Sequence, residues 1–269
     1  MALKTLELFN AGRLADAVAS ALADVRAAAA DVDKRSTLCE LLCFTGDLQR
    51  ADAQLDAIPS NDPKIAVGVA RFRHLIRAEK ARQEFYTQGR LPEFLEQPNE
   101  EIKLRLEASI RLREKDFVQA ASLIARANEL RPASKGTLDG KPFSDLRDLD
   151  DLTAGVFEML TPNGKFYWVT PAQIESIAFE PLKQPLDQLW RWAQVDFRGG
   201  TQGRVCLPTL YHPPREESDE KLKLGRATDW VQVDAAVLGI GQRTFLADET
   251  DHTILSVQTI EFDDASPAA

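Results

Sequence analysis

The chain has 269 residues, 44% of them hydrophobic and 28% charged, and a formal net charge of -9 at neutral pH. This composition is typical of a soluble globular protein, and no apolar run approaches the roughly 18 residues that a membrane span requires. The net charge is -1 over 1–150 and -8 over 151–269, so the acidic second half repels phosphate backbones and disfavours nucleic-acid binding.

The first half of the sequence repeats a pattern of turn-forming, apolar and helix-ending residues. When the three copies of this pattern are aligned, each column of the alignment holds one residue from each copy. The successive columns are Gly12, Gly46 and Lys115, then Leu14, Leu48 and Phe117, then Ala17, Ala51 and Ala120, and finally Ala29, Pro63 and Pro132. Antiparallel helices that cross closely need a tight turn, a small residue at the crossing and a stop. The 34-residue spacing of the first two copies is that of a tetratricopeptide helix pair. The pattern predicts three helix pairs and one irregular unit, in which a long helix spans about 64–88.

Stacked helix pairs of this kind present a concave surface that binds peptides or helices. In the register given above, the inward-facing positions are Leu6, Phe9, Asn10, Glu40, Phe44, Arg105, Ser109 and Arg113. We interpret these residues as a partner-binding groove. The alternative is that Leu6, Phe9 and Phe44 belong to the hydrophobic core.

One predicted helix carries the only cluster of basic residues that could favour nucleic acid. Its members are Arg71, Arg73, Arg77, Lys80 and Arg82. Their spacing is typical of the solvated face of an amphipathic helix. We therefore expect no nucleic-acid partner.

A stretch rich in turn formers and aspartate separates the two halves and indicates a domain boundary. The sequence predicts a helical domain at 1–133, a linker at 134–154 and a β-rich domain at 155–269. Within this linker, the acidic string DLRDLDD lacks the glycine and the final glutamate of an EF-hand loop. We expect a solvated short helix there and no calcium site.

Beyond 155 the hydrophobic pattern alternates with a period of two, which is typical of β-strands. Asn163-Gly164 and Gly199-Gly200 each separate two such runs and predict two hairpins. About seven or eight short strands indicate a mostly antiparallel β domain, either a small sheet or an open barrel. The chain is thus expected to be an α+β protein. The tryptophans on these strands are Trp168, Trp190, Trp192 and Trp230. We expect them to be core residues, or one or two of them to be interface anchors.

No motif in the sequence predicts catalysis, a metal site or a cofactor. The histidines His74, His212 and His252 are dispersed, without metal-ligand spacing. The sequence lacks a GxSxG elbow, and the string LGIGQR lacks the third glycine and the following helix of a dinucleotide-binding loop. We expect no catalytic residue, no metal and no cofactor.

The cysteines and the N-terminal stretch favour a cytoplasmic protein. Cys39, Cys43 and Cys206 form an odd, sparse set without a CxxC pair, so the sequence specifies neither a disulfide framework nor a zinc site. The first residues lack a basic start, a continuous apolar segment and a small-residue cleavage site. Secretion is therefore not expected.

Several local strings resemble the ImpE family, also called TagJ or SciE-like, of type VI secretion accessory proteins. The strings, in chain order, are LCFTGDLQRADAQLD, Asp139-Gly140 with Pro142-Phe143, NGKFYWV, IESIAFEP, LKLGRATDW and GIGQRTFLADE. Their order extends the resemblance over nearly the whole chain. It implies a non-enzymatic adaptor that binds a helix of the small, TssB-like sheath subunit and a ClpV-type AAA+ ATPase.

Two other classes of protein remain possible on the sequence alone. A tetratricopeptide scaffold or chaperone unrelated to secretion would share the helical half. An enzyme could instead have its site around Arg226, Thr228, Asp229 and Trp230. A closed cleft with convergent polar groups at Arg226 would favour the enzyme, and an apolar groove would favour the adaptor.

Overall fold

The computed structural model describes residues 3–58, 62–212 and 218–264. Helices occupy the first half of this described chain, and strands occupy most of the second, so the predicted α+β class is confirmed. The helices of the first half are α1 (Leu3–Asn10), α2 (Leu14–Ala27), α3 (Val32–Phe44), α4 (Leu48–Asp56), α5 (Pro63–Gln88), α6 (Glu100–Glu114) and α7 (Phe117–Leu130). A short α8 (Glu220–Lys223) lies among the strands.

The predicted repeat columns fall at equivalent places in three helix pairs, α1–α2, α3–α4 and α6–α7. Leu14, Leu48 and Phe117 are the first residues of the second helices, and Ala17, Ala51 and Ala120 are fully buried where the paired helices cross. The turn residues Gly12, Gly46 and Lys115 all have positive φ, at 79°, 75° and 61°. Glycine adopts this left-handed conformation without strain, and Lys115 adopts it in the same turn.

The long helix α5 stands where the repeat pattern is irregular, as predicted. It starts at Pro63, which has no N–H to leave unpaired, and the Asp62 carboxylate accepts a hydrogen bond from Lys64 N at 2.8 Å. Gly89, with φ 82°, ends the helix. The 26 residues of α5 are long enough to contact both its helical neighbours and the β-sheet.

Within the described ranges, the strands form one large open sheet and two smaller ones. In chain order they are β1 (Gly136–Leu138), β2 (Lys141–Phe143), β3 (Leu146–Asp148), β4 (Phe157–Leu160), β5 (Phe166–Val169), β6 (Ile174–Phe179), β7 (Trp190–Phe197), β8 (Thr201–Pro208), β9 (Thr228–Val233), β10 (Ala236–Gly241), β11 (Thr244–Ala247), β12 (Thr250–Thr253) and β13 (Thr259–Phe262). The large antiparallel sheet has the order β2-β1-β13-β6-β7-β8-β4-β5, and the small sheets are β10-β9 and β12-β11-β3. Both predicted hairpins are present, as β4–β5 and β7–β8.

The stretch expected to be a linker contains the first three strands. β1 pairs with β13 and β3 pairs with β11, so this stretch belongs to the sheets. The expectation of a solvated helix at DLRDLDD is wrong, because Asp148 ends β3 and is buried together with Asp150. The domain boundaries at 133 and 155 stay a prediction.

One hydrophobic core joins the helical array to the large sheet. Buried residues of α1 to α6 pack in it with Phe166, Trp168, Trp190 and Leu210 from the β region. A second core lies among the strands, and a third places α6 and α7 against β10. None of the helices in 3–58, 62–212 and 218–264 combines the length and apolar character of a transmembrane span.

Candidate functional site

A groove lies between the helical array and the β9–β10 hairpin, and we call it the hairpin groove. It consists of two adjoining cavities of about 450 and 710 Å³. Thr87, Tyr211, His212 and Ile240 line both cavities and join them into one surface feature. Grooves between structural layers are common places for partner binding.

One wall of the groove is helical and the other is the hairpin. Leu112 and Arg113 of α6 face Val231 and Leu238 of the hairpin across the larger cavity. Packing of Leu238 and Ala236 against the α6–α7 pair holds the hairpin in place. Val231 is 41% exposed and remains accessible from solvent.

On the other face of the hairpin, the backbone at Gly239 lies close to the ring of Tyr211 and fixes the position of the hairpin. Gly239 lies opposite Trp230 in the β9–β10 register, and a Cβ on Gly239 would lie 2.3 Å from the ring of Tyr211. Trp230 contacts the same ring with a centroid separation of 5.9 Å. A side chain at position 239 would therefore push the hairpin away from the groove floor.

His212 forms part of the groove floor. Its ring stacks on Tyr86 with 4.6 Å between centroids and 8° between planes. Burial, together with the positive charge of Arg82, lowers the pKa of His212 to about 4. At neutral pH the imidazole is therefore uncharged and can both donate and accept a hydrogen bond.

Beneath the floor lies a buried ion network, which we define as Glu79, Arg82, Asp148, Glu158 and Arg243. Arg82 Nε is 2.9 Å from Glu158 Oε2, and its Nη1 is 3.1 Å from Glu79 Oε1. Arg243 pairs with Asp148 and, through Nη2, with Glu158 Oε2 at 2.6 Å. These contacts connect α5 to the β-sheets across the core.

Aromatic donors complete the hydrogen bonding of the acidic groups in this network. Tyr86 Oη donates to Glu158 Oε1 at 2.8 Å, Tyr211 Oη donates to Asp148 Oδ1 at 2.7 Å, and Trp190 Nε1 donates to Glu79 Oε2 at 3.2 Å. Tyr86 and Tyr211 thus belong to both the groove and the network.

The two buried glutamates respond differently to the same surroundings. Burial opposes ionisation of Glu158, but the guanidinium groups of Arg82 and Arg243 hold its pKa below the ordinary value. Glu79 has a raised pKa, chiefly because of burial and despite the charge of Arg82. The charged groups of the network pair with one another, so we assign the network a structural role.

Four of the residues predicted to bind a partner are buried. Phe9 and Phe44 meet edge to face with 5.3 Å between ring centroids and belong to the helical core. Arg105 is fully buried, and Ser109 is nearly so. For the two phenylalanines, the alternative of core packing describes their position.

The environment of Arg105 is that of a structural cation. It pairs with Glu101 at 2.9 Å and donates to Asp151 O at 2.7 Å and to Asn128 Oδ1 at 2.9 Å. These bonds tie α6 to α7 and to the segment before β4. Its side chain therefore does not face a partner in this conformation.

The hairpin groove brings together three of the predicted residues and leaves the others apart. Phe44 lines its smaller cavity, and Ser109 and Arg113 line the larger one. Leu6 and Glu40 are partly exposed and Asn10 is exposed, but these three do not line either cavity. Partner binding by all eight residues stays a prediction.

Glu40 offers a test of the electrostatics in the helical array. Its pKa is raised from 4.5 to about 7, chiefly by burial and further by Asp187. The folded state disfavours ionised Glu40. Protonated Glu40 therefore contributes most to the free energy of unfolding at low pH, and this contribution is lost as the pH rises through about 7. We expect Glu40→Gln to raise the melting temperature relative to wild type more at pH 8 than at pH 5.

Differential scanning fluorimetry at the two pH values measures this effect. The matched control is Glu129→Gln, which changes an exposed glutamate on α7. An equal shift at pH 5 and pH 8 for Glu40→Gln would contradict the raised pKa.

The region considered for an enzyme site holds structural contacts. Arg226 donates to Phe9 O at 2.7 Å and to Asn10 O at 2.8 Å, where α1 ends. Thr228 Oγ1 donates to Gln242 O, and Asp229 accepts from the backbone of Trp230. Basic groups at a helix C-terminus satisfy its unpaired carbonyls. Arg226 therefore anchors α1 to the β region, and the described part of this region has no closed polar cleft.

The important polar residues of the site were missed by sequence reasoning. Arg82 belongs to the cluster expected on a solvated helix face, yet it is buried in the ion network. The spacing of Glu79 and Arg82 by three residues was the available signal, since such pairs meet on a helix. Within the described ranges, no three His, Cys, Asp or Glu side chains are arranged to hold a metal.

Residues 140–261 match the ImpE protein family. The chain therefore resembles this family over its β-rich part. It is also 28% identical over 257 residues to the type VI secretion system accessory component TagJ of Pseudomonas aeruginosa, an alignment that covers 96% of this chain and 90% of TagJ. The resemblance inferred from the local strings is confirmed.

A solved structure shares the whole architecture of this chain. The crystal structure of protein VPA1032 from Vibrio parahaemolyticus superposes with a TM-score of 0.90 and 28% identity, and the match covers 97% of each chain. The helical array and the β-sheets thus occur together in the same arrangement in both proteins.

Proposed function

We propose that this chain belongs to the ImpE family, is an accessory component of the type VI secretion system and acts as a non-enzymatic adaptor. In this proposal it binds a helix of the small, TssB-like sheath subunit and helps to bring a ClpV-type AAA+ ATPase to the sheath. The name of the Pseudomonas aeruginosa relative supports the accessory role. The partners follow from the family resemblance.

The hairpin groove is the observation that carries the proposal. Its walls are apolar and its edges are exposed, and it extends from α6 to the β9–β10 hairpin. A helix can lay one apolar face into such a groove and leave its polar face in water. The polar groups beneath the floor pair with one another, as expected of a binding surface rather than a reaction centre.

An adaptor of this kind acts by proximity. Binding of the sheath helix in the groove and of the ATPase on another surface would convert a bimolecular encounter into an intramolecular one. The gain depends on simultaneous binding of both partners. The alternative of a scaffold unrelated to secretion predicts no affinity for either partner.

Binding and bridging can be measured with the full-length chain, because the helices and the sheet share one core. We expect the small sheath subunit to bind in a calorimetric titration. We also expect the ATPase to co-sediment with assembled sheath in larger amounts when the chain is present. Failure of the wild-type chain to bind the sheath subunit would overturn the proposal.

A substitution in the groove wall tests the location of the site. Val231→Asp places a charge on an apolar wall residue, and we expect about a tenfold or greater loss of affinity for the sheath subunit. The control is Val67→Asp, at a 52% exposed position of α5 that does not line the groove. Equal affinities for the two variants would place the helix-binding site elsewhere on the protein.

A further inference from the structure

Besides the buried Arg82, four basic side chains line the hairpin groove. Lys80 and Lys223 lie at the smaller cavity, and Arg113 and Lys115 lie at the larger one. Among the residues that the structure describes, the ion pairs involve none of these four cations. Arg113 instead donates hydrogen bonds to Phe85 O at 3.0 Å and to Ser109 Oγ at 3.2 Å.

The described acidic groups of the groove have partners within the protein. Glu79 pairs with Arg82, and Glu84 pairs with Arg90 at 2.8 Å. The Asp150 carboxylate accepts hydrogen bonds from backbone N–H groups, including Gly239 N at 2.9 Å. Among the described residues, the four cations of the groove therefore have no ion pair.

This positive rim contrasts with the rest of the molecule. The chain has a net charge of -9, so its overall charge repels an acidic partner while the basic groups attract it locally at the groove. Between the basic groups lie the apolar side chains of Leu112, Val231, Leu238 and Ile240. The combination favours a partner with an apolar stripe bordered by carboxylates.

We infer that the occupant of the hairpin groove is an amphipathic helix whose apolar stripe is flanked by Asp or Glu residues. This inference rests on the proposed function, in which the partner offers a helix, and adds the site and the charge pattern of that helix. The apolar stripe packs between α6 and the hairpin, and its carboxylates meet Lys80 and Lys223 at one end and Arg113 and Lys115 at the other. The uncharged His212 lies between the two ends and supplies a hydrogen-bonding group to the floor.

Synthetic peptides test the charge pattern independently of any natural partner. We propose a fluorescent peptide of about 18 residues, roughly 27 Å long as a helix, with a leucine and alanine stripe flanked by glutamates. A second peptide replaces every Glu by Lys, and a third keeps the glutamates but has a central proline that breaks the helix. Anisotropy with the full-length chain should show binding of the first peptide, at least tenfold weaker binding of the other two, and weakening of the first by added salt.

A pair of triple variants tests the location. K80E/K115E/K223E reverses three groove charges and should weaken binding of the acidic peptide about tenfold or more. K64E/K103E/K141E changes three exposed lysines away from the groove, so it alters the net charge by the same amount. We expect this control to retain most of the affinity. Melting temperatures of both variants verify that they are folded.

Different outcomes distinguish this inference from the proposed function. Equal binding of the acidic and basic peptides, or equal loss in the two triple variants, would overturn the assignment of an acidic helix to the groove. If the sheath subunit binds wild type and both triple variants equally, the adaptor role stands and the groove assignment fails. If the sheath subunit does not bind the wild type while the acidic peptide does, the groove assignment stands and the proposed partner is wrong.

Discussion

Replacing Arg243 with alanine is expected to lower the free energy of unfolding by about 3 to 5 kcal/mol. Its guanidinium is buried and pairs with Asp148 and Glu158 at the centre of the ion network. Removal of the cation leaves buried Asp148 without a cationic partner and Glu158 with Arg82 alone, and the protein interior solvates such charges poorly. Urea unfolding followed by tryptophan fluorescence measures the loss, because Trp168 and Trp190 lie in the adjoining core.

A surface arginine supplies the control for Arg243. Arg50 pairs with Asp47 on the exposed side of α4 at 3.1 Å, and Arg50→Ala should cost less than about 1 kcal/mol. A loss for Arg243→Ala as small as that for Arg50→Ala would contradict the structural role of the network. Arg82→Ala provides a second comparison, since it removes the other cation that contacts Glu158.

Arg105→Glu is expected to destabilise the chain by more than about 3 kcal/mol. The variant would replace a fully buried cation with a carboxylate next to buried Glu101. It would also remove the hydrogen bonds that Arg105 donates to Asp151 O and Asn128 Oδ1. Thermal unfolding by circular dichroism should show a large decrease in melting temperature.

Arg113→Glu is the matched comparison, because Arg113 lies two turns along the same helix and is partly exposed. We expect a loss of about 1 kcal/mol from its hydrogen bonds to Phe85 O and Ser109 Oγ. Similar melting temperatures for the two variants would show that Arg105 is not the structural cation described here. Reduced partner binding by Arg105→Glu alone reports on folding, whereas Arg113→Glu reports on the groove.

The helical repeats could be predicted because each repeat position has a local physical requirement. A turn of positive φ, a small crossing residue and an N-terminal proline act within a few residues, so their spacing is visible in one sequence. The same holds for the hairpins at Asn163-Gly164 and Gly199-Gly200, since the turn residues and the alternating pattern are adjacent.

The candidate site could be predicted only in part. Phe44, Ser109 and Arg113 do line the groove, because the inward face of a helix pair follows from its register. The hairpin wall was not foreseen, since Val231 and Leu238 lie more than 100 residues along the chain from α6. Nothing in the alternation of a strand indicates which helix it will face.

The burial of charged side chains is the other feature that the hydrophobic periodicity predicted wrongly. A helical pattern identifies one apolar face, and it therefore assigned Arg82 to solvent and Arg105 to an open groove. Both helices are instead covered on a second side, α5 by the β-sheet and α6 by the segment around Asp151 and Leu152. Arg82 is tolerated there because Glu158 comes from a distant part of the chain. Arg105 is tolerated because it pairs with Glu101 on its own helix and donates to the distant carbonyl of Asp151.

The sequence by itself determined the helix pairs, the long α5, the α+β class and the resemblance to the ImpE family. These properties depend on local turn chemistry, on residue spacing and on strings that lie in order along the chain. Only the tertiary structure decided that the helices and the sheet share one core, that an ion network joins them, and that four cations without an ion pair among the described residues surround a groove. Contacts of this kind join residues far apart in sequence, so their free energy depends on the complete fold and leaves no local pattern.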